Sequence, residues 1–505
     1  MRHRPVWVIG LTVVLLVLAG CSGVPIPEPP VQGPGGGSGG ALEHTTGPIH
    51  VSVEPVEMIE TRPDPEADPL GWEGGYWHNE TIPVESTDGI NGSELAMIVS
   101  RSKARVEDIR GIEFQNDVSV EIITRETFRS EFAGGGVNLT TAQRLHQEVK
   151  FEALFFVGEN RSAIQQRRAN TAANVLAFYA PGNDSIKLIS DGTGVVHVNE
   201  LTLAQELYHA QQDQQFNISR YTQNTEELHN AIDGIVEGDA NYVEYRYRKR
   251  CESGWSCLSD TGAPAGGSGR DPHLGMLALR LQPYSDGPVF VHRIYTEQGW
   301  AGVNEVYENP PASTEQTIHP AKYRIDQPTT VTIGDRSNET YDVPDQGEGH
   351  IDYAQFGEAG LYVMLWYPSG ITADVIIPGS HFFGPSSNGG LDLYNYSYNY
   401  SAGWDGDRLL PYVRNDSARS NETGYVWKIT WDSRADAAEF LDGYRKLLRY
   451  HGASAVPGRP GTYRIPSGPF ADAFYVTRSG TTVIIVNAPT VSDLDAVREG
   501  AGERT

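Results

Sequence analysis

Cysteine, lysine and long apolar runs are all scarce in this chain of 505 residues. Its three cysteines are too few for a disulfide-built scaffold, so the fold must rest on a hydrophobic core. Seven of the 39 basic residues are lysine, against 65 Asp and Glu, and the formal net charge is −26. No basic stripe is available to neutralise phosphate, which excludes nucleic acid as a partner. The acid is spread along the chain rather than gathered in a tail. Diffuse acidity with little lysine fits a surface hydrated by carboxylates in high salt, where repulsion is screened. An ordinary acidic secreted protein is the alternative reading.

The clearest apolar run, Val6 to Leu18, is shorter than the roughly 20 residues that span a bilayer. It follows Arg2 and Arg4 and precedes Leu18-Ala19-Gly20-Cys21. This is the layout of an export signal ending in a lipoprotein box. Residues 1–21 are therefore expected to be a signal peptide with cleavage before Cys21, and the Cys21 thiol to carry lipid. An ordinary secretory signal with an incidental cysteine is the competing reading. The lipid-bearing form would sit on the extracellular face of the cell membrane through its acyl chains.

Residues 22–50 are rich in Pro, Gly and Ser and read as a tether that cannot bury a core. Globular sequence begins near residue 51. Cys251 and Cys257 enclose a short spacer with Gly254, and in an oxidising compartment they are expected to pair. A metal pair is the weaker alternative, since no His or Cys partner flanks them. Asn79, Asn91, Asn217, Asn395, Asn399 and Asn421 begin Asn-x-Ser/Thr sequons, permissive acceptors in an exported glycoprotein.

The periodicity predicts helices over 93–110, 142–157, 200–215 and 226–247, with strands at 118–124, 174–179 and 185–189. The tail reads as strand 425–431, helix 435–450, strands 473–476 and 482–486, and helix 491–499. The fold class expected is α+β: residues 51–330 as one domain, then a C-terminal α/β-sandwich-like region over 331–500.

The chemistry concentrates in Thr202-Leu-Ala-Gln205-Glu206-Leu-Tyr-His209-Ala-Gln-Gln-Asp213-Gln. In the pattern His-Glu-x-x-His, two histidines four apart project from one helix face onto Zn²⁺, and the Glu between them activates the bound water. Here Glu206 and His209 stand in place, and Gln205 occupies the first histidine position. A lone Glu-x-x-His is common by chance and more often marks a satisfied histidine. The downstream run Val236-Glu237-Gly-Asp-Ala240 adds a second helix with a Glu and a small neighbour.

On these residues the chain resembles haloarchaeal lipid-anchored surface proteins with a zincin-like, gluzincin-type metallopeptidase domain. The resemblance extends to Pro283-Tyr-Ser-Asp-Gly287, Gly299-Trp300, Ser313-Thr-Glu-Gln-Thr-Ile-His319-Pro, Gly357-Glu-Ala-Gly-Leu361 and Gly403-Trp-Asp-Gly-Asp-Arg408. It implies a twisted sheet, an active-site helix and a second, Glu-bearing helix. It makes His209 and Glu237 metal ligands, Glu206 the general base, and His319 a group that stabilises the oxyanion or orients a ligand. Gln205 offers only a neutral amide oxygen where zinc favours nitrogen, sulfur or a charged carboxylate.

Three readings follow. The first is a degenerate zincin-like surface protein without protease activity, acting as an envelope or binding component. The second is a working zinc peptidase whose ligand set is completed by Gln205, His146, His229 or His319. The third is a glycan- or protein-binding module that uses the aromatic surface near Tyr394–Tyr400. For Glu237 and His319 the plain alternatives are a solvated helix face and a turn cap.

Overall fold

The computed structural model describes residues 69–504, apart from 86–88, 134–138, 191–196, 222, 259–271, 373–375, 384–389 and 416–421, together with a two-residue strand Leu18–Ala19. Cys21, the tether 22–50, most of the signal region, and Asn421 lie outside the described residues. Among the described residues no helix is long and apolar enough to cross a membrane.

The fold is α+β. Its first half is helical around a small sheet. Strands β1 (Ser119–Thr124), β2 (Val175–Ala180) and β3 (Ser185–Ser190) stand in the order β2-β3-β1, with β1 and β3 parallel and β2 and β3 antiparallel. Leu18–Ala19 pairs in parallel with the outer edge of β2.

The helices of this half are α1 (Gly92–Arg110), α2 (Thr141–Ala153), α3 (Ala163–Asn174), α4 (Glu200–Phe216), α5 (Glu226–Ser253) and α6 (Leu274–Glu308). Their starts are set by side-chain caps. Asn91 and Thr140 form capping boxes with Glu94 and Gln143, and Asn199 accepts from the Leu201 and Thr202 amides. α2 ends four residues before the expected end. Leu154 to Val157 leave the helix through Phe155 at φ 56° and bury themselves in the core.

α6 was not apparent from periodicity, because Pro283, Pro288 and Gly287 lie within it and Gly299 breaks it at φ 65°. Gly287 has a positive function here. A Cβ on Gly238 of α5 would meet the Gly287 backbone at 2.6 Å, and one on Gly287 would meet the Gly234 carbonyl at 2.7 Å. The two helix backbones touch at this crossing.

The second half is a seven-stranded antiparallel sheet. Its strands are β4 (Tyr341–Asp342), β5 (Trp404–Arg414), β6 (Thr423–Trp431), β7 (Ser454–Ala455), β8 (Thr462–Arg464), β9 (Ala473–Ser479) and β10 (Thr482–Ala488), in the order β7-β8-β9-β10-β6-β5-β4. Two helices of this half, α8 (Gly357–Ile371) and α9 (Arg434–Tyr450), contribute Leu361–Trp366 and Phe440–Leu448 to the largest apolar cluster. A short helix, α7 (Thr314–Ile318), precedes them. The strands of this sheet begin at Tyr341, and the largest apolar cluster runs across the boundary expected at residue 330. It joins Phe151–Val157 and Leu277–Tyr284 to residues of α8, α9 and the sheet.

Candidate functional site

α4 is buried on almost every side, which its weakly amphipathic sequence does not announce. Gln205 is 2 % exposed, and Glu206 and His209 are fully buried. α4 packs against α1 and α5, and α5 packs along α6. At its start, Glu200 accepts from Arg101 at 2.9 Å, Arg105 at 2.6 Å, the Tyr247 hydroxyl at 2.5 Å and the Leu258 amide at 2.8 Å. Arg101 and Arg105 also donate to the Ser256 carbonyl, next to the disulfide that joins Cys251 and Cys257. This hub fixes where α4 begins relative to α1 and α5.

Two and a half turns on, His209 reaches α5. Its Nε2 lies 3.3 Å from Glu237 Oε2, and both side chains are fully buried. Its Nδ1 is 2.8 Å from Gln212 Oε1. The Gln212 amide donates to the Val236 carbonyl at 2.9 Å and to the Tyr307 hydroxyl at 2.6 Å. The imidazole is therefore held from both ends.

Beneath this pair runs a second network. Tyr208 and Tyr307 both donate to Asp239 Oδ2, the latter at 2.8 Å, and Arg110 reaches the same carboxylate at 3.2 Å. Arg110 also donates to the Tyr208 oxygen at 2.7 Å and lies over the Trp300 ring. Burial pushes the Tyr208 and Tyr307 phenols well above their usual range. They remain neutral donors. Glu237 and Asp239 are thus buried anchors and not a solvated helix face. Tyr284 of α6 lies beside Glu237, and its phenol is likewise pushed up, first by burial and then by the Glu237 charge. Gln212, Asp239, Tyr284 and Tyr307 were not singled out from the sequence. The first three fall inside the short motifs quoted above, which was the available signal.

The other histidines are placed elsewhere. His229 is bound to Asp233 at 3.3 Å and to Gln223 at 2.7 Å. His146 is buried on α2, and desolvation lowers its pKa to about 4. His319 terminates α7, and its Nε2 lies 3.1 Å from Glu358 Oε1 at the start of α8. Its side chain is 30 % exposed, whereas Glu358 is fully buried. Burial opposes the His319 imidazolium, but Glu358 and Glu315 outweigh it and raise the pKa. None of these three supplies a third donor to His209 and Glu237. Among the described residues, no third His, Cys, Asp or Glu atom lies within 4.8 Å of both.

The donor set therefore does not fit a catalytic zinc ion. Such a site uses three protein ligands and keeps a fourth position open. Among the described residues two such donors face each other, Gln205 fills the first histidine position, and all of these side chains are buried.

The aromatic run at 394–400 is mainly core. Tyr394 and Tyr396 are buried against Phe382, Tyr394 stacked on it at 4.6 Å. An open, polar groove of about 480 Å³ lies instead along Asp335 to Tyr353 and shares no residue with the His209–Glu237 pair.

Residues 340–498 match the family model of a domain of unknown function, DUF8575. The match covers all seven strands of the C-terminal sheet and none of α4 or α5. No curated protein matches the chain. No solved structure matches it.

Proposed function

We propose that this is a lipid-anchored extracellular surface protein whose zincin-like helix pair has become a structural core, so that the chain acts as an envelope or binding component and not as a peptidase. One observation carries the reading: Glu206, His209 and Glu237 are sealed from solvent, with His209 Nε2 only 3.3 Å from Glu237 Oε2. A peptidase must admit both water and a peptide to these groups. The Arg110–Asp239–Tyr208–Tyr307 network beneath adds fixed contacts that resist opening. The run Leu18-Ala-Gly-Cys21 and the net charge of −26 support a membrane-bound role outside the cell, without nucleic acid.

The test is proteolysis of an unfolded protein substrate by the purified chain in high salt, with added zinc. Cleavage no greater than that of Glu206→Gln supports the reading, and cleavage abolished by Glu206→Gln overturns it. Cys21→Ser should move the protein from the membrane fraction to the medium, and unchanged fractionation would remove the anchor.

A second reading, a working metallohydrolase, draws on the convergence of Glu206, His209 and Glu237 from two helices. It requires Gln205 or a moved side chain to complete the ligand set.

A further inference from the structure

Trp77 is a large apolar side chain left 39 % exposed, while Trp72, its cross-strand partner in the hairpin of Trp72–Glu73 and Tyr76–Trp77, is buried. The Trp77 indole makes no hydrogen bond and no ring contact among the described residues. A lone exposed apolar residue needs no explanation by itself. Its setting does. Trp77-His78-Asn79-Glu80-Thr81 places the ring two residues before the asparagine of an Asn-x-Thr sequon. No other sequon of the chain has an aromatic residue at that position.

The backbone here is a tight turn. The Glu80 amide donates to the Trp77 carbonyl at 3.1 Å, which closes a β-turn from Trp77 to Glu80. α1 holds this turn from behind. Arg105 donates to the His78 carbonyl at 2.8 Å and Arg101 to the Glu80 carbonyl at 3.4 Å. His78 itself packs toward Asp108 and Trp255. Asn79 and Thr81 are both exposed, and neither side chain makes a hydrogen bond among the described residues. Other sequons are tied into the fold. Asn91 and Asn395 accept from the Glu94 and Ser397 amides, and the Ser401 hydroxyl of the Asn399 sequon is buried. Asn338 commits both ends of its amide to neighbouring backbone groups.

We infer that Asn79 carries an N-linked glycan whose first sugar packs on the Trp77 indole. The donor is an oligosaccharide joined through its anomeric carbon to a lipid phosphate, and a membrane transferase acting outside the cytoplasm catalyses the transfer. Asn79 Nδ2 attacks the anomeric carbon. The carbon–nitrogen bond forms and the carbon–oxygen bond to phosphate breaks. The lipid phosphate leaves with the electron pair, and one Nδ2 proton passes to a base of the transferase. The turn puts the attached sugar within reach of the Trp77 ring. One face of a pyranose presents C–H groups, and these settle on the electron-rich face of the indole. The sugar then covers the apolar surface that the hairpin leaves open. The site requires export, and so rests on the extracellular placement proposed above.

The test is expression of the full chain in a halophilic host that N-glycosylates exported proteins, followed by mass spectrometry of the peptide that contains Asn79. The chain is made twice, behind its own residues 1–21 and behind an export signal of proven function. A sugar on Asn79 is expected in both forms. A sugar in the second form alone supports the site and overturns the extracellular placement. Thermal melting then separates stacking from mere attachment. The glycosylated wild type should melt about 1–4 °C above Asn79→Gln, the effect of one aromatic contact. With Trp77→Ala in both chains that difference should vanish, and with Trp77→Phe, which keeps a ring, it should return. A bare Asn79 on the exported, folded second form overturns the inference. So does a melting difference that persists without Trp77.

Discussion

Two of the histidine–carboxylate pairs, His209–Glu237 and His319–Glu358, are built to opposite ends. His209 and Glu237 are both sealed, 3.3 Å apart, with the far side of the imidazole tied to Gln212. His319 and Glu358 are 3.1 Å apart, but His319 is part-open to solvent. The first pair sits on the motif that most resembles enzyme machinery, and the second at the end of a five-residue helix. A catalytic-looking motif can thus be the more structural of two similar pairs, because burial fixes what a side chain is free to do.

Breaking the sealed pair should have the largest effect. His209→Ala leaves Glu237 buried without its partner, a change that costs on the order of 3–5 kcal/mol. Denaturant unfolding at neutral pH would measure it. A loss below about 1 kcal/mol would mean that the pair is solvated and the comparison false.

Prising apart the helices that carry the pair should come next. Gly238→Val places a side chain where the Gly287 backbone lies 2.6 Å from a Cβ. Overpacking of this kind costs about 1–3 kcal/mol. Unchanged unfolding would show that α5 and α6 do not meet at this crossing.

A buried carboxylate between the two pairs gives a pH-resolved prediction. Glu227 accepts from the Thr314 amide at 2.7 Å, and desolvation pushes its pKa up to about 8, with Asp407 and Glu315 adding to the rise. A folded-state pKa above the unfolded value means that the folded state holds the proton longer. Its contribution to stability is therefore complete in acid and is lost as pH rises from about 4.5 to 8. Glu227→Gln should flatten that decline in a series of melts across this range. A decline as steep as the wild type's would assign the pH dependence to other groups.

The smallest effect is expected at the open pair. His319→Ala should cost less than His209→Ala, since water can enter where the part-exposed imidazole stood and solvate Glu358. A loss equal to that of His209→Ala would erase the contrast.

Much of this was legible in the sequence, and the rest was hidden for identifiable reasons. The helices α4 and α5 and strands β1 to β3 follow from periodicity. The convergence of His209 on Glu237 follows the motif order. α6 was concealed by Pro283, Gly287, Pro288 and Gly299, residues that locally argue against a helix; of these, Gly287 sits where the α5 backbone approaches closely. β5 was concealed by Pro411 and by its mixed composition. Asp407 could be read only as part of a motif. In the fold it is a buried cap that accepts from the Phe356 and Gly357 amides and from the Trp404 and Trp427 indoles. Trp404 is three residues away, but the other partners lie about 50 residues before it and 20 after it, so no local pattern could reveal them.

Metal content tests the central claim most directly. The full chain and Gln205→His would be prepared without chelators, exposed to equal zinc and measured by elemental analysis. If Gln205 has converted the helix pair into a structural core, the wild type carries close to no zinc, and restoring the histidine raises zinc affinity by orders of magnitude. Near one zinc per wild-type chain, held by His209 and Glu237 and lost in Glu237→Gln, would contradict the account.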